Sequence, residues 1–219
     1  MIRTPPPQLR FSAIDIGSNA TRFLITDVFE IGSRAFMKET TRVRVPLRLG
    51  KEAFTSGRFS KATLDDLSGT IAAFAQLNKV YGVANSMACA TAAVRVANNG
   101  DDLVYQVAKR SGVKIQVING TQEADLVFSN YRMDPERRQG HVLFFDIGGG
   151  STEVAWYDHG RRRASGSFNL GTVRLVERQV DRNDWQAMGD WLEQKGPPKR
   201  TANVSGLGSG GNVKELFRL

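Results

Sequence analysis

The stretch Leu143-Phe144-Phe145-Asp146-Ile147-Gly148-Gly149-Gly150-Ser151-Thr152-Glu153 leaves a chain few ways to fold. An apolar run that ends in an acid reads as a buried strand, three glycines as a turn, and the next apolar run as a second strand. Glycines carry no Cβ, so backbone N–H groups in such a turn can approach a bound group closely. Consecutive amides there form a concavity that favours anions, phosphate above all. Asp146 and Glu153 put a carboxylate on either side of it. Acids beside a phosphate need a cation between them. Mg²⁺, which takes one or two carboxylates together with phosphate oxygens, fits that need.

The pattern occurs twice. Phe11-Ser12-Ala13-Ile14-Asp15-Ile16-Gly17-Ser18-Asn19 repeats the order apolar strand, Asp, Ile, Gly, small polar residue, and 146 − 15 places the two acids 131 residues apart. A single turn of this kind is equally an ordinary hairpin. Two copies predict similar halves facing each other across a cleft. A third glycine-rich run, Gly206-Leu207-Gly208-Ser209-Gly210-Gly211, follows a strand expected over residues 202–205. None of the three runs matches G-x-x-x-x-G-K-[ST], and none has the spacing and early position of a dinucleotide-binding fingerprint.

Composition narrows the ligand class. The 219 residues carry 30 Lys and Arg against 22 Asp and Glu, a net charge of +8 that attracts polyanions. The basic residues are dispersed apart from Arg161-Arg162-Arg163, and no nucleic-acid motif is present. Phosphate-rich small molecules or polyphosphate chains fit as well as nucleic acid does. No apolar run approaches the ~18 residues of a membrane span. Residues 1–10 hold three prolines and no apolar core of a signal peptide. The single cysteine, Cys89, excludes an intrachain disulfide and agrees with a cytoplasmic location. Its apolar neighbours make it a buried strand residue.

Along the chain, strands are expected over 9–17, 20–29 and 33–44, followed by an irregular stretch over 45–57. Arg42 and Arg44 just before it, and Arg48 and Lys51 within it, are read as a solvated or phosphate-facing rim. Ser60 opens a helix whose stripe Leu64, Leu67, Ile71, Phe74, Leu77 has helical spacing and which stops at Gly82. A strand over 83–90 runs into Thr91-Ala92-Ala93-Val94-Arg95, a helix start suited to an anion, with Arg95 as a bidentate phosphate contact. A helix over 99–111, a strand over 114–118 and a helix from Thr121 to about Met133 follow, with Glu123 in the last helix's first turn. An acid there is also a common helix cap. Beyond Pro135 come the organising strand, a second strand over 152–158, a turn at Asp158-His159-Gly160 and a third strand over 161–170. His141 and His159 have no nucleophile motif nearby and receive no catalytic role. Trp185, Met188, Trp191 and Leu192 on a helix over 183–194 are expected to be core. The last helix, from Asn212, ends with Leu216, Phe217 and Leu219 lacking a partner. The element order therefore predicts that a C-terminal portion is lacking.

Five stretches together resemble the exopolyphosphatase / guanosine pentaphosphate phosphohydrolase family of the actin, sugar kinase and heat-shock chaperone ATPase superfamily. They are Ala13–Asn19, Ala90–Arg95, Asn119–Ala124, Phe145–Glu153 and Gly208–Asn212, in order over nearly the whole chain. The resemblance implies an α/β fold of two actin-like (ribonuclease H-like) domains, each a central mixed sheet flanked by helices. Their expected bounds are 1–124 and 125–219, the second truncated. It implies Mg²⁺-assisted hydrolysis of the terminal phosphoanhydride of inorganic polyphosphate or guanosine pentaphosphate. Glu123 matches the family's water-activating acid. Asp146 and Glu153 match its metal- and phosphate-site acids, and Asp15 is counted with them. Phosphate contacts fall to Gly17, Ser18, Asn19, Arg95, Gly148, Gly149, Gly150, Ser151, Gly208, Ser209, Gly210 and Gly211. Gln122 departs from the pattern, since many members carry a second acid there. No specific nucleic acid and no membrane are expected as partners, and a homodimer stays open. A small-molecule kinase of the same superfamily and a non-enzymatic nucleotide-binding module stay open as alternatives.

Overall fold

Residues 9–31, 34–132, 140–201, 203–216 and 218 are described by a computed structural model. The expectations for the N-terminal prolines, Ser33, Met133, Pro135, Ala202, Phe217, Leu219 and the side chain of Leu216 lie outside the described residues. The chain packs as two compact units, residues 1–90 with 94–117 and residues 91–93 with 118–219.

In the first unit, β1 (Leu9–Ile16), β2 (Thr21–Ile31) and β3 (Arg34–Val45) form an antiparallel meander. β4 (Asn85–Ala90) and β5 (Ile115–Val117) join the other side of β1 in parallel, giving the order β3-β2-β1-β4-β5. Its helices are α1 (Leu49–Thr55), α2 (Lys61–Val80) and α4 (Gly100–Ser111), while the division between the units falls within α3 (Ala92–Val96), after Ala93. Ser60 caps α2 by accepting the Thr63 N–H at 3.2 Å. The expected stripe buries Leu64, Leu67, Ile71 and Phe74. Phe74 stacks on Phe23 of β2 with ring centroids 4.7 Å apart. Each such side chain contributes about 1.5–3 kcal/mol on leaving water. The irregular reading of 45–57 is corrected by α1. This short helix is tied down by tertiary contacts, because the Arg48 and Gly50 amides donate to the carbonyls of Asn19 and Ser18 at 3.0 and 2.7 Å.

In the second unit, β6 (His141–Ile147), β7 (Thr152–Asp158) and β8 (Arg161–Phe168) form the meander, and β9 (Val204–Ser209) pairs with β6 in parallel. The order β8-β7-β6-β9 repeats the first four strands of the other sheet, as duplicated halves require. The helices are α5 (Gly120–Arg132), α6 (Thr172–Val176), α7 (Arg182–Lys195) and α8 (Gly211–Leu216). Ala124 and Phe128 of α5 pack on Val142, Phe144, Ala155 and Tyr157. The Phe128 ring meets Phe144 and Tyr157 edge-on at 4.4 and 5.4 Å.

Two further expectations change here. The stripe on α7 is not core: Trp185 is half exposed, and Trp191 is half-buried with its ring edge-on to Phe168 at 5.8 Å. α7 lies against β8, the outer strand of this sheet, so it has little surface to cover. The third glycine-rich run is also not a turn throughout. β9 continues through Gly206, Leu207 and Gly208 to Ser209. A Cβ on Gly208 would lie 2.6 Å from Val213 and 2.7 Å from the Phe145 ring, so that glycine makes room for packing. Among the described residues no helix is long and apolar enough to cross a membrane.

Candidate functional site

The register of the second sheet sets four side chains in one row. Asp146 on β6 lies directly opposite Glu153 on β7 and beside Ser209 on β9, while Glu153 lies opposite Ser167 on β8. Partners directly across a sheet share a face, with Cβ atoms about 4.5–5.5 Å apart in an antiparallel pair. The row therefore reads Ser, Asp, Glu, Ser. Each outer hydroxyl donates inward: Ser209 Oγ to Asp146 Oδ1 at 2.5 Å, and Ser167 Oγ to Glu153 Oε1 at 2.9 Å. Glu153 is fully buried. Burying a carboxylate is costly unless it is hydrogen-bonded and charge-compensated. Two facing carboxylates with hydroxyls alongside form an all-oxygen donor set, which suits a hard divalent cation such as Mg²⁺.

The triple-glycine turn joins the two acid-bearing strands. Its Gly148 N–H donates to the Ser151 carbonyl at 2.9 Å. The turn's own carbonyls are taken by the start of α6: Thr172 N–H donates to Gly148 at 3.1 Å and Val173 N–H to Gly149 at 2.9 Å. Arg174 Nε donates to the Gly150 carbonyl at 2.8 Å. With the carbonyls held this way, the Gly149 and Gly150 amides donate to no protein acceptor among the described residues. Gly171 is pressed on the turn. A Cβ there would lie 2.4 Å from the Gly149 oxygen and 2.5 Å from the carbonyl carbons of Gly149 and Gly150. Gly210, at φ +96°, crosses over Asp146, and Asn212 Nδ2 donates to the Ile147 carbonyl at 3.0 Å. Of the expected phosphate contacts in this unit, Gly148, Gly149, Gly150 and Ser151 form this turn. Ser209 bonds Asp146, Gly210 and Gly211 lead into α8, and Gly208 stays inside β9.

Glu123 stands in the first turn of α5. The helix is capped reciprocally by its neighbours: Asn119 Oδ1 accepts the Gln122 N–H, and Gln122 Oε1 accepts the Asn119 N–H, both at 2.9 Å. The glutamine that departs from the family pattern thus does the capping that Glu123 was weighed for. α5 begins against the acid row, because a Cβ on Gly120 would lie 2.3 Å from both Cβ and Oγ of Ser167. Ser167 went unnoticed in the sequence for a physical reason. Counting back from the 159–160 turn, 158 + 161 equals 319 and pairs Glu153 with Gly166. A bulge at Trp156/Tyr157 shifts the sum to 320 and brings Ser167 into register.

The first unit carries the echo with a different partner. Asp15 pairs with Arg22 on β2 and Cys89 on β4. Arg22 Nη1 donates to Asp15 Oδ2 at 2.8 Å, both side chains being about half exposed. Asp15 was expected among the metal ligands, and a cation there would compete with a guanidinium. Burial and the charge of Asp15 push the Cys89 thiol up. Gly17 N–H closes the turn onto the Ala20 carbonyl at 3.2 Å, and the carbonyls of Ser18 and Asn19 hold α1, as those of Gly148 and Gly149 hold α6. Arg95 is half-buried in the last turn of the five-residue α3. Of the arginine rim, Arg42 is ion-paired with Glu39.

Exopolyphosphatase 1 of Mycobacterium leprae is 32% identical over 192 residues, covering 85% of this chain and 56% of the relative. Exopolyphosphatase 1 of Mycobacterium tuberculosis is 33% identical over 190 residues, covering 84% and 54%. The chain thus spans about half the length of the curated relatives it matches. An exopolyphosphatase structure from Cytophaga hutchinsonii superposes with a TM-score of 0.76 at 25% identity, over 95% of this chain and 69% of that one. The two-sheet α/β architecture is that of the actin-like proteins. The model of the Ppx/GppA phosphatase family matches residues 28–189, and this chain belongs to that family.

Proposed function

We propose that this protein is a phosphoanhydride hydrolase of the exopolyphosphatase type, releasing terminal phosphate from inorganic polyphosphate or guanosine pentaphosphate. The observation that carries the reading is the Ser209–Asp146–Glu153–Ser167 row beside a glycine turn whose carbonyls are all engaged. Asp146 and Glu153 would hold the divalent cation, taken as Mg²⁺, which when bound neutralises charge on the transferring phosphoryl group. Ser209 and Ser167 fix the two carboxylates. The Gly149 and Gly150 amides cradle non-bridging oxygens, with further phosphate contacts in the second unit from Ser151, Ser209, Gly210 and Gly211; in the first unit Arg95 and the Gly17-Ser18-Asn19 turn are taken, by themselves, as phosphate contacts. Asp15 holds Arg22 and is secondary as a metal ligand. Glu123 accepts the proton of the attacking water, a role open to it because Asn119 and Gln122 cap its helix. Phosphoryl transfer to water asks mainly for positioning and charge stabilisation, and the acceptor needs no pocket of its own.

The test is phosphate release with Mg²⁺ on long-chain polyphosphate, guanosine pentaphosphate and ATP side by side, for the parent and Glu123→Gln. The expected result is release from one of the first two, reduced ~10²-fold or more in the variant, with polyphosphate binding kept. Transfer from ATP to a small molecule would replace this reading with a kinase. Binding without release would replace it with a nucleotide- or polyphosphate-binding module.

A further inference from the structure

A second constellation stands at the other end of β6. His141 is the first residue of that strand and lies directly opposite Asp158, the last of β7. His159 follows in a two-residue turn, with φ +48° at His159 and +74° at Gly160. Its N–H donates to the Gly140 carbonyl at 2.7 Å, which fixes the turn over the start of β6. Nδ1 of His159 lies 2.7 Å from Asp158 Oδ1, and Nδ1 of His141 lies 3.3 Å from the same oxygen. The two imidazoles stand edge to face with centroids 5.2 Å apart. One ligand atom from each of the three residues falls within 4.8 Å of the others.

Three details distinguish this from a chance cluster of polar residues. Arg163 holds the other carboxylate oxygen, Asp158 Oδ2, at 2.6 and 3.0 Å, which leaves Oδ1 turned toward the imidazoles. The His141 Nδ1 atom is buried and makes no hydrogen bond among the described residues, because its 3.3 Å approach to Asp158 is misaligned for one. Ligands held by one tetrahedral ion at 2.0–2.1 Å sit about 3.3 Å from each other. The turn also forgoes the Asn-Gly that its two positive φ values favour and places an imidazole there.

We propose that His141, Asp158 and His159 bind one borderline divalent transition-metal ion, Zn²⁺ being the best match, that fastens the β7–β8 turn to the start of β6. Two imidazoles and one carboxylate are the donor set of three-ligand zinc sites, with a solvent molecule completing four. Arg163 orients the carboxylate from outside, as metal-binding acids require. The site is separate from the Asp146–Glu153 pair: five residues along β6 at ~3.4 Å each set it about 17 Å away. Its chemistry is also different, because the imidazoles disfavour Mg²⁺.

Calorimetric titration of the full chain, free of any histidine tag, with Zn²⁺ in millimolar Mg²⁺ tests this, since Mg²⁺ keeps the oxygen-only acids filled. One equivalent is expected to bind in the micromolar range or tighter. Co²⁺ in its place should give the visible absorption of a four-coordinate ion. His159→Asn keeps a residue suited to positive φ and so preserves the turn. It should weaken Zn²⁺ by roughly tenfold or more, as should His141→Gln; Arg163→Gln should weaken it by ~10–100-fold as an outer partner. Zn²⁺ should raise the melting temperature of the parent more than that of His159→Asn at the same concentration. No Zn²⁺ binding by the parent, or equal binding and equal thermal shift in His159→Asn and His141→Gln, would overturn the proposal.

Discussion

Replacing Ser167 by alanine isolates one hydrogen bond of the acid row. The hydroxyl donates to Glu153 Oε1 at 2.9 Å, and Glu153 is fully buried. Alanine keeps the Cβ against which Gly120 is packed, so the start of α5 need not move. A hydrogen bond to a charged group contributes about 1.5–3 kcal/mol. With ~2 kcal/mol as the central value, a chain of this length loses about 4–8 °C in melting temperature. The three tryptophans, Trp156, Trp185 and Trp191, all fall in the second unit, so their fluorescence in a denaturant titration reads the unit that was changed. The same substitution in a Glu153→Gln background gives the other side of a double-mutant cycle. There the acceptor is neutral, and the loss should shrink to about 1 kcal/mol or less. A cost under ~0.5 kcal/mol in the parent, or equal costs in both backgrounds, would refute the idea that Ser167 serves the buried carboxylate.

Three further outcomes are expected. Gly171→Ala should cost about 1–3 kcal/mol and abolish the Mg²⁺-dependent phosphate release proposed above, because the atoms nearest its Cβ are backbone atoms of Gly149 and Gly150 at 2.4–2.5 Å; a fully active variant of parental stability would contradict the contact. Asp27 is held below the ordinary carboxylate value by the hydrogen bond from Arg10, against burial and with help from Thr40 and the charges of Arg10 and Lys38. A depressed carboxyl stabilises above its unfolded value of 3.8 and loses that contribution as pH falls through its folded value, so Asp27→Asn should flatten the melting-temperature curve below about pH 4, and parallel curves would refute this. Cys89, its thiol pushed up by burial and by Asp15, should react with a disulfide reagent at pH 8 far more slowly in the native protein than in urea, and somewhat faster in Asp15→Asn; equal native and denatured rates would show the thiol to be open.

Where sequence and structure part, the cause is tertiary. The Asp-Gly turns, the α2 stripe and the strand over 152–158 were legible because each is local: an alternation, a helical period, a run of glycines. α1 was not, since its first amides are satisfied by the carbonyls of Ser18 and Asn19 some thirty residues earlier. β9 was misread because glycine looks the same whether it makes a turn or makes room for Phe145. The expectation for α7 erred because aromatic spacing tells which face is apolar and not what there is to cover it. In the candidate site, Asp146, Glu153 and Glu123 were readable from motif strings. Ser167 required the bulge at Trp156/Tyr157, and Arg22 required the register across β1 and β2.

The bonds from α6 to the glycine turn also make the turn observable from behind. The Gly149 peptide carbonyl accepts from Val173 N–H, and the Gly148 carbonyl accepts from Thr172 N–H. An anion on the Gly149 and Gly150 amides would polarise the Gly148–Gly149 and Gly149–Gly150 peptides and strengthen the bonds on their far sides, as hydrogen bonds in a chain reinforce one another. The protons of Thr172 and Val173 would then exchange with solvent more slowly whenever phosphate occupies the turn. Isotope exchange at two amides that never touch the ligand would report its arrival.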